Sequence, residues 1–408
     1  MKDTLRKLAE LALNHVANFA FPLVFAILCG RVLGVHDFGI VSFYTALAAF
    51  LGVIIEFGFD WLGIREVSQA DGDSARQHSL LCNVTAAKLL IGTLVASITA
   101  ASVLWLRGLD QWMLVLPMAG YMLGFSMDVS WYLRALERTR VMLAITTIVR
   151  LLGIALLWTL VSRPGDMGGA LWTYAFVSVA TSSIGWFAIH RQGMGGWVRP
   201  QFSVVFGLMR RSSAIVFGNL SGGLLTNGGV ALLGLSADPA TVGAANLALR
   251  VRMAGQAVLL PIKQLTFVRL SALARSSPAR AVRVGRMALA ALLGAGLVIA
   301  VAILFAAEFI VRQVFLGDYP VAVGLIMLLG LSIPLNAAAE LFGMQCLIAF
   351  GQERSYALVV VLAAAVFCGV LLLGLGAPLT YGWALLAAEA SLAMMAGLRL
   401  RAVLRQPR

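Results

Sequence analysis

Four cationic side chains lie inside stretches that otherwise read as hydrocarbon: Lys88, Arg150, Arg250 and Arg252. A charge at mid-bilayer depth costs about 2.5–3.5 kcal/mol on insertion scales, so it is kept where it meets a carboxylate or water. Lys88 sits about eight residues into its stretch, roughly 12 Å along a helix axis. Arg150 is similarly deep, and both stems are long enough to reach back to the nearer interface. Arg250 and Arg252 lie near the middle of theirs, with Asn246 and Gln256 one turn to either side. Two residues apart on a helix is a rotation of roughly 200°, so these two guanidiniums leave opposite faces. Two readings follow. One is an ion pair locking helices together, with Glu56, Asp60, Asp128, Glu340 and Glu389 as candidate partners. The other is a cation in a hydrated cavity that accepts a phosphate-bearing substrate. Glu340 and Glu389 themselves either pair with a buried cation or bind a coupling H⁺ or Na⁺.

The elements holding these groups follow from composition. Hydrophobic residues make up 61% of the 408 and charged residues 12%, with a mean hydropathy of +0.92. Soluble domains run at about 45–50% and about 25%. Twelve apolar stretches, each near the roughly 20 residues a bilayer crossing needs, fall at 8–29, 39–59, 80–105, 112–130, 141–162, 170–189, 212–235, 242–264, 287–307, 322–348, 357–376 and 381–398. The expected fold class is an all-α polytopic membrane protein of about twelve transmembrane helices, with no room for a soluble domain. The first stretch is too long for the core of a signal peptide and reads as a retained helix.

A net charge of +13 would suit nucleic acid, but its placement along the chain points elsewhere. Loops on one side carry Lys2, Arg6 and Lys7, then Arg65 and Arg76, Arg134 to Arg140, Arg191 to Arg211, Lys263 to Arg286, Arg354, and Arg399 to Arg408. The other side has only Arg31, Arg107, Arg163 and Arg312. The positive-inside rule then puts both termini in the cytoplasm.

The longest cytoplasmic loop, with Gly193, Gly195, Gly196 and Pro200, leads to Phe202, Val205, Phe206 and Met209, which read as an interfacial helix. It divides the chain into an N-terminal lobe (1–195), a linker (196–211) and a C-terminal lobe (212–408). Glu137-Arg138-Thr139 before span five is echoed by Glu353-Arg354-Ser355 before span eleven. Gly153 to Leu157 is echoed at the same offset by Gly369 to Leu373. Echoes six helices apart imply two lobes related by an axis along the membrane normal. Pro22, Pro117, Pro261 and Pro334 fall inside spans, where a missing backbone donor permits a bend.

Cys29, Cys82, Cys346 and Cys368 have no metal-ligand or disulfide spacing and read as small buried hydrophobes. The histidines (His15, His36, His78 and His190) are scattered. No phosphate-binding loop, HExxH or GxSxG motif is present, and no cofactor is expected.

A set of short motifs, in order along nearly the whole chain, carries a resemblance. Arg31-Val32-Leu33-Gly34 with Phe38-Gly39, then Gly58 with Arg65-Glu66, then Asp128 with Trp131-Tyr132 and Glu137, form its first half. Gly243, Ala248 and Arg250 with Leu270-Ser271, then Phe315-Leu316-Gly317, complete it. Together they resemble the Wzx-type O-antigen and exopolysaccharide flippases, in the superfamily that also holds the multidrug (MATE) exporters. Ala245 and Val268 stand where that family usually has an aromatic residue and a proline. The resemblance implies two pseudo-symmetric six-helix lobes around a central cavity in the bacterial inner membrane. It implies alternating access, a polyprenyl-diphosphate-linked oligosaccharide as cargo, and contact with membrane lipids and other glycan-assembly proteins. On this reading Arg250 binds the diphosphate and Arg31 lies near the outer exit. Lys88, Arg150 and Arg252 are further cavity candidates, and Trp131 and Tyr132 either stack on sugar or anchor at the interface. The rivals are a MATE-like cation exporter, whose cavity should be acidic, and a membrane enzyme of glycan assembly, which should have a long external loop.

Overall fold

The structure, a computed structural model, describes residues 20–408 apart from 71, 109–110, 316–318, 320, 375–376 and 406–408. Lys2, Arg6, Lys7, His15, Leu316, Gly317 and Arg408 lie outside the described residues, as do the side chains of Arg107 and Arg275. Among the described residues all regular structure is helical. Eight helices are long and apolar enough to cross a membrane, and up to ten if each of two bent pairs is one span. Of the remaining predicted spans, the first is described from Ala20 to Val32 and the sixth is the helix Met167–Arg191. The chain is a multi-pass membrane protein. It divides into two compact units, Met1–Leu220 and Ser221–Arg408.

The first unit holds α1 (Ala20–Val32), α2 (Gly34–Glu56), α3 (Phe59–Gln69), α4 (Ser74–Arg107), α5 (Trp112–Ser126), α6 (Ser130–Ala135), α7 (Thr139–Leu160), α8 (Met167–Arg191) and most of α9 (Phe202–Gly223). Its tightest helix pair is α5 with α8, and the reason is chemical. Ser178, Ser182 and Trp186 recur every four residues on α8 and donate to the Tyr121, Gly124 and Met127 carbonyls of α5 and its end, at 2.9, 2.7 and 3.0 Å. In hydrocarbon, where greasy surface gains nothing by pairing, such small polar residues and close backbone approach drive helix association. The same stripe makes α8 less apolar than its neighbours.

At one end of this unit, α3, α4, α6, α7 and α9 close over a core of Phe59, Leu81, Val129, Trp131, Tyr132 and Leu208. Trp131 and Tyr132 are fully buried. They neither line a sugar site nor anchor at an interface, which corrects both expectations for them. Gly63 explains the indole's place: a Cβ there would come within 2.6 Å of Trp131. The Tyr132 hydroxyl donates to the Met194 carbonyl at 2.8 Å.

The predicted linker is docked on the same core. Gln201 donates its backbone N–H to Asn83 (2.8 Å), Val205 and Leu208 are buried, and Arg211 pairs with Glu66 at 2.6 Å.

The second unit runs through a π-helical turn (Leu224–Gly228), α10 (Gly229–Leu233), α11 (Pro239–Val258), α12 (Leu260–Ser276), α13 (Pro278–Phe309), a second π-turn (Ile310–Phe315), α14 (Ala322–Glu340), a third π-turn (Leu341–Leu347), α15 (Glu353–Leu373) and α16 (Thr380–Arg405). Asp238 caps α11 by accepting from the Thr241 N–H at 2.9 Å, an N-cap contact worth about 1 kcal/mol. α11 and α12 meet at a 53° bend where Pro261 removes a backbone donor. Pro117 and Pro334 sit inside α5 and α14 without ending them.

Gly124 puts the α5–α8 packing to the test. A Cβ at Gly124 would lie 2.7 Å from the Val179 backbone nitrogen, whereas one at Gly218 meets nothing within 4 Å. Helix propensity favours alanine over glycine by up to about 1 kcal/mol at either position. Gly124→Ala should nevertheless lower stability by about 1–3 kcal/mol, as overpacking does, while Gly218→Ala leaves it unchanged or raises it. Thermal unfolding of the purified variants in detergent measures both.

Candidate functional site

The buried cations fall into two groups according to what neutralises them. In the second unit Arg252 is sealed: its guanidinium donates to Glu389 at 2.5 Å and to the Ser332 hydroxyl at 2.7 Å, with both charged side chains no more than 3% exposed. Asn336 completes the shell by donating to both Glu389 oxygens, at 3.1 and 3.3 Å. Three helices, α11, α14 and α16, are tied by this one cluster. Glu340 is likewise paired, with Lys263 at 2.5 Å, so the backbone past the α11–α12 bend is held to the end of α14.

Arg250 leaves the opposite face of α11, as its spacing requires. It donates to Asn227 at 3.3 Å and lies 3.8 Å from the Met253 sulfur, and it is 9% exposed. Asn227 belongs to the first π-turn, and inserted π-turns of this sort recur at functional sites. The structure thus places the two arginines apart: Arg252 in an ion-paired lock, Arg250 against an amide.

In the first unit Lys88 is 1% exposed and reaches Asp60 (3.3 Å) and the Asp128 carbonyl (3.5 Å), with the Phe125 ring 5.6 Å away. Asp60 also holds Arg134 at 2.8 Å, so one carboxylate bridges two cations. Its position depends on a left-handed turn at Phe57 and Gly58, where φ is +48° and +73°. Glycine takes that conformation freely. Lys88 is therefore buried among protein groups at this end of the unit.

Arg150 differs. One of its terminal nitrogens is buried and makes no hydrogen bond, and the side chain lines a cavity of about 290 Å³ within the first unit. Tyr121 and Tyr174 form one wall, their rings 5.0 Å apart and nearly parallel, with Phe21 against Tyr174. Thr146, Ser178, Thr181 and Ser182 supply hydroxyl groups, and Arg134 and Asp128 also line the cavity. A buried donor without a partner costs about 1–3 kcal/mol, more when charged, so this guanidinium is built to meet something that accepts. Arg150 was one of several candidates from sequence; Tyr121, Tyr174 and the α8 hydroxyls were not singled out. The only signal for them was a polar, aromatic face on a span that should otherwise be greasy.

Arg31 is exposed at the end of α1. Nearby, Asp37 of the same motif accepts the Gly165 N–H at 2.9 Å and so tethers α2 to the α7–α8 loop. In that loop the Ser162 and Arg163 backbone N–H groups, and the Arg163 charge, hold the Asp166 carboxyl below its ordinary range. All four cysteines are free thiols.

In this bundle of apolar helices a guanidinium is turned into a hydroxyl-lined cavity, an arrangement that suits a membrane transporter. Comparison with known proteins agrees. Residues 4–273 match the model of a family described as polysaccharide biosynthesis protein, and the chain belongs to that family. A Shigella dysenteriae protein that carries the name of an O-antigen transporter is 24% identical over 266 residues, 64% of this chain and 66% of that protein. One from Escherichia coli K12 is 22% identical over 376 residues, 92% and 89% of the two. The fold is that of the MATE transporters. An inward-facing multidrug resistance MATE transporter of the MOP superfamily aligns over 98% of this chain and 99% of its own, with a TM-score of 0.70 at 13% identity. A MOP superfamily transporter from Pyrococcus furiosus, described as having a binding pocket of reversed polarity, aligns over 98% and 95% with a TM-score of 0.61 at 14% identity. The relatives are named as transporters and not as enzymes, and the chain shares the fold of the MATE transporters.

The sealed cluster can be separated from transport. Removing one partner of a buried ion pair strands the other, so Glu389→Ala should cost about 3–5 kcal/mol, whereas Arg252→Met with Glu389→Leu should recover most of it. Denaturation midpoints in detergent give the energies. If the stable double variant keeps transport activity, the pair is a lock; if it folds but has lost ion-driven transport, Glu389 carries the coupling ion.

Proposed function

We propose that this protein is a flippase that moves a polyprenyl-diphosphate-linked oligosaccharide from the cytoplasmic to the external leaflet by alternating access. The observation that carries this reading is the Arg150 cavity: a cation without a hydrogen-bond partner at one of its nitrogens, beside hydroxyls and aromatic faces. A diphosphate wants a guanidinium, which grips phosphate oxygens two at a time. A glycan wants hydroxyl partners and flat apolar walls, and the polyprenyl tail can remain in lipid. Within the second unit Arg250, against the Asn227 amide, is the candidate for a phosphate contact. Lys88 and Arg252 act by holding the architecture through Asp60 and Glu389, and Arg31 lies toward the external exit. On this reading the basic loops keep both termini in the cytoplasm of a bacterial inner membrane, and the chain forms two pseudo-symmetric lobes of six spans joined in sequence by the linker 196–211. Glu340, 35% exposed as a side chain and held by Lys263, is the better placed of the two carboxylates to exchange a coupling H⁺ or Na⁺.

The MATE-like exporter is the second reading, and one observation favours it: the Asp128 carboxylate also lines the cavity, held by the Ser130 hydroxyl at 2.5 Å. Organic cations would seek that carboxylate. The two arginines in the same lining oppose them.

Purified protein in liposomes should translocate a diphosphate-linked glycolipid. A charge-assisted hydrogen bond is worth about 1.5–3 kcal/mol, so Arg150→Ala should slow flipping by about tenfold to a hundredfold, with Arg150→Lys intermediate. Undiminished flipping by Arg150→Ala overturns the site. Uptake of an organic cation that depends on Asp128, with no glycolipid movement, overturns the function.

A further inference from the structure

The second unit has a larger cavity, about 480 Å³, that none of the cargo chemistry uses. It is a groove between α13, the third π-turn and α16. Its floor is kept open by two glycines: at Gly285 a Cβ would stand 3.9 Å from the Cys346 sulfur, and at Gly397 one would stand 3.4 Å from the Phe342 ring. The walls are apolar, and one end carries Arg286 from α13 and Arg401 from α16. Both arginines are exposed, and neither makes an ion pair among the described residues. Along α16 the wall runs from Arg401 back through Leu398 to Met394, about 10 Å at 1.5 Å per residue.

From this arrangement we infer that the groove binds an anionic glycerophospholipid of the cytoplasmic leaflet, its phosphate between Arg286 and Arg401 and an acyl chain along the glycine floor. Charge complementarity selects an anion. The route of entry selects a lipid: α13 beside the groove exposes Met287, Leu297, Val298, Val301 and Phe305, 42–86% each. A face of that kind on a membrane helix is bathed in acyl chains. The guanidiniums stand at the end of the unit where Arg280, Arg283, Arg399 and Arg405 also cluster, the side the charge distribution assigns to the cytoplasm. The volume lies within the roughly 300–1,000 Å³ of ordinary small-molecule sites. The inference needs the protein to be in a membrane and does not depend on what it transports.

Native mass spectrometry of the detergent-solubilised protein, titrated with phosphatidylglycerol or with phosphatidylcholine of the same chains, tests it. Each cation near a lipid phosphate favours the anionic lipid several-fold, so the wild type should prefer phosphatidylglycerol by about tenfold or more. Arg286→Gln with Arg401→Gln should abolish the preference, and Arg280→Gln with Arg283→Gln should keep it. Gly397→Phe, which fills the groove and leaves both arginines in place, should reduce retention of the anionic lipid, and it decides the matter should the arginine pair not fold. An unselective wild type, or a preference that survives both the arginine and the glycine variants, overturns the site. Displacement of phosphatidylglycerol by an equal amount of a polyprenyl phosphate overturns the assignment to a bulk lipid and gives the groove to the cargo.

Discussion

A bilayer leaves a charge two ways to exist, neutralised by an opposite charge or wetted, and the internal architecture of this protein follows from how its side chains divide between them. Arg252 takes the first way completely, with Glu389, Ser332 and Asn336 gathered round it from two other helices. Lys88 takes it through Asp60, which also binds Arg134. Such pairs contribute little net stability, because desolvating both ions offsets most of their attraction. What they supply is registry: a helix that slides or rotates by one residue strands a charge. Arg150 has no carboxylate partner among the described residues and faces a cavity instead.

The helices were legible in the sequence because hydrocarbon imposes length and composition together, and the stretches at 39–59, 141–162 and 357–376 each begin inside an observed helix and run past its last residue, Glu56, Leu160 and Leu373. Helical geometry likewise fixed that Arg250 and Arg252 diverge. Which carboxylate Arg252 would find was not legible, since Glu389 is 137 residues away and five acidic residues fitted equally well. Trp131 and Tyr132 show the limit from the other direction. Aromatic residues near span ends sit at the interface on average, but Gly63 opens a slot for the indole in the core, and that slot exists only once α3 and α6 are packed. The stretch from Phe202 reads as an interfacial helix, and the structure divides its apolar residues: Val205 and Leu208 are buried in the first unit's core, while Phe202 and Phe206 are exposed.

The relation of α8 to α5 shows why a polar stripe in a membrane helix has more than one meaning. Ser178 and Ser182 donate inward to α5 carbonyls and also line the cavity. Each hydroxyl carries one donor and two acceptor lone pairs. With the donor committed to the neighbouring helix, what each hydroxyl offers to the cavity is acceptor capacity. Tyr121 belongs to the same arrangement, since its carbonyl receives Ser178 while its ring packs on Tyr174. The residues that join the helices therefore also set the polarity of the space between them. A substitution there changes packing and chemistry at once.

The placement of the second unit's ion pairs has a mechanical consequence. In the second unit the α11–α12 bend at Pro261 is bracketed by ion pairs, Arg252 with Glu389 before it and Lys263 with Glu340 after it. A proline bend lacks the backbone hydrogen bond that would resist straightening, so resistance must come from side chains. Arg252 cannot move relative to α16 without exposing a bare charge to low dielectric. Lys263, with its partner 35% exposed, can exchange that partner for water or for a bound ion. Any change of the bend angle is therefore cheaper on the α12 side than on the α11 side. Motion in this unit should pivot about the Arg252 cluster, and the Lys263–Glu340 contact is the one that makes and breaks.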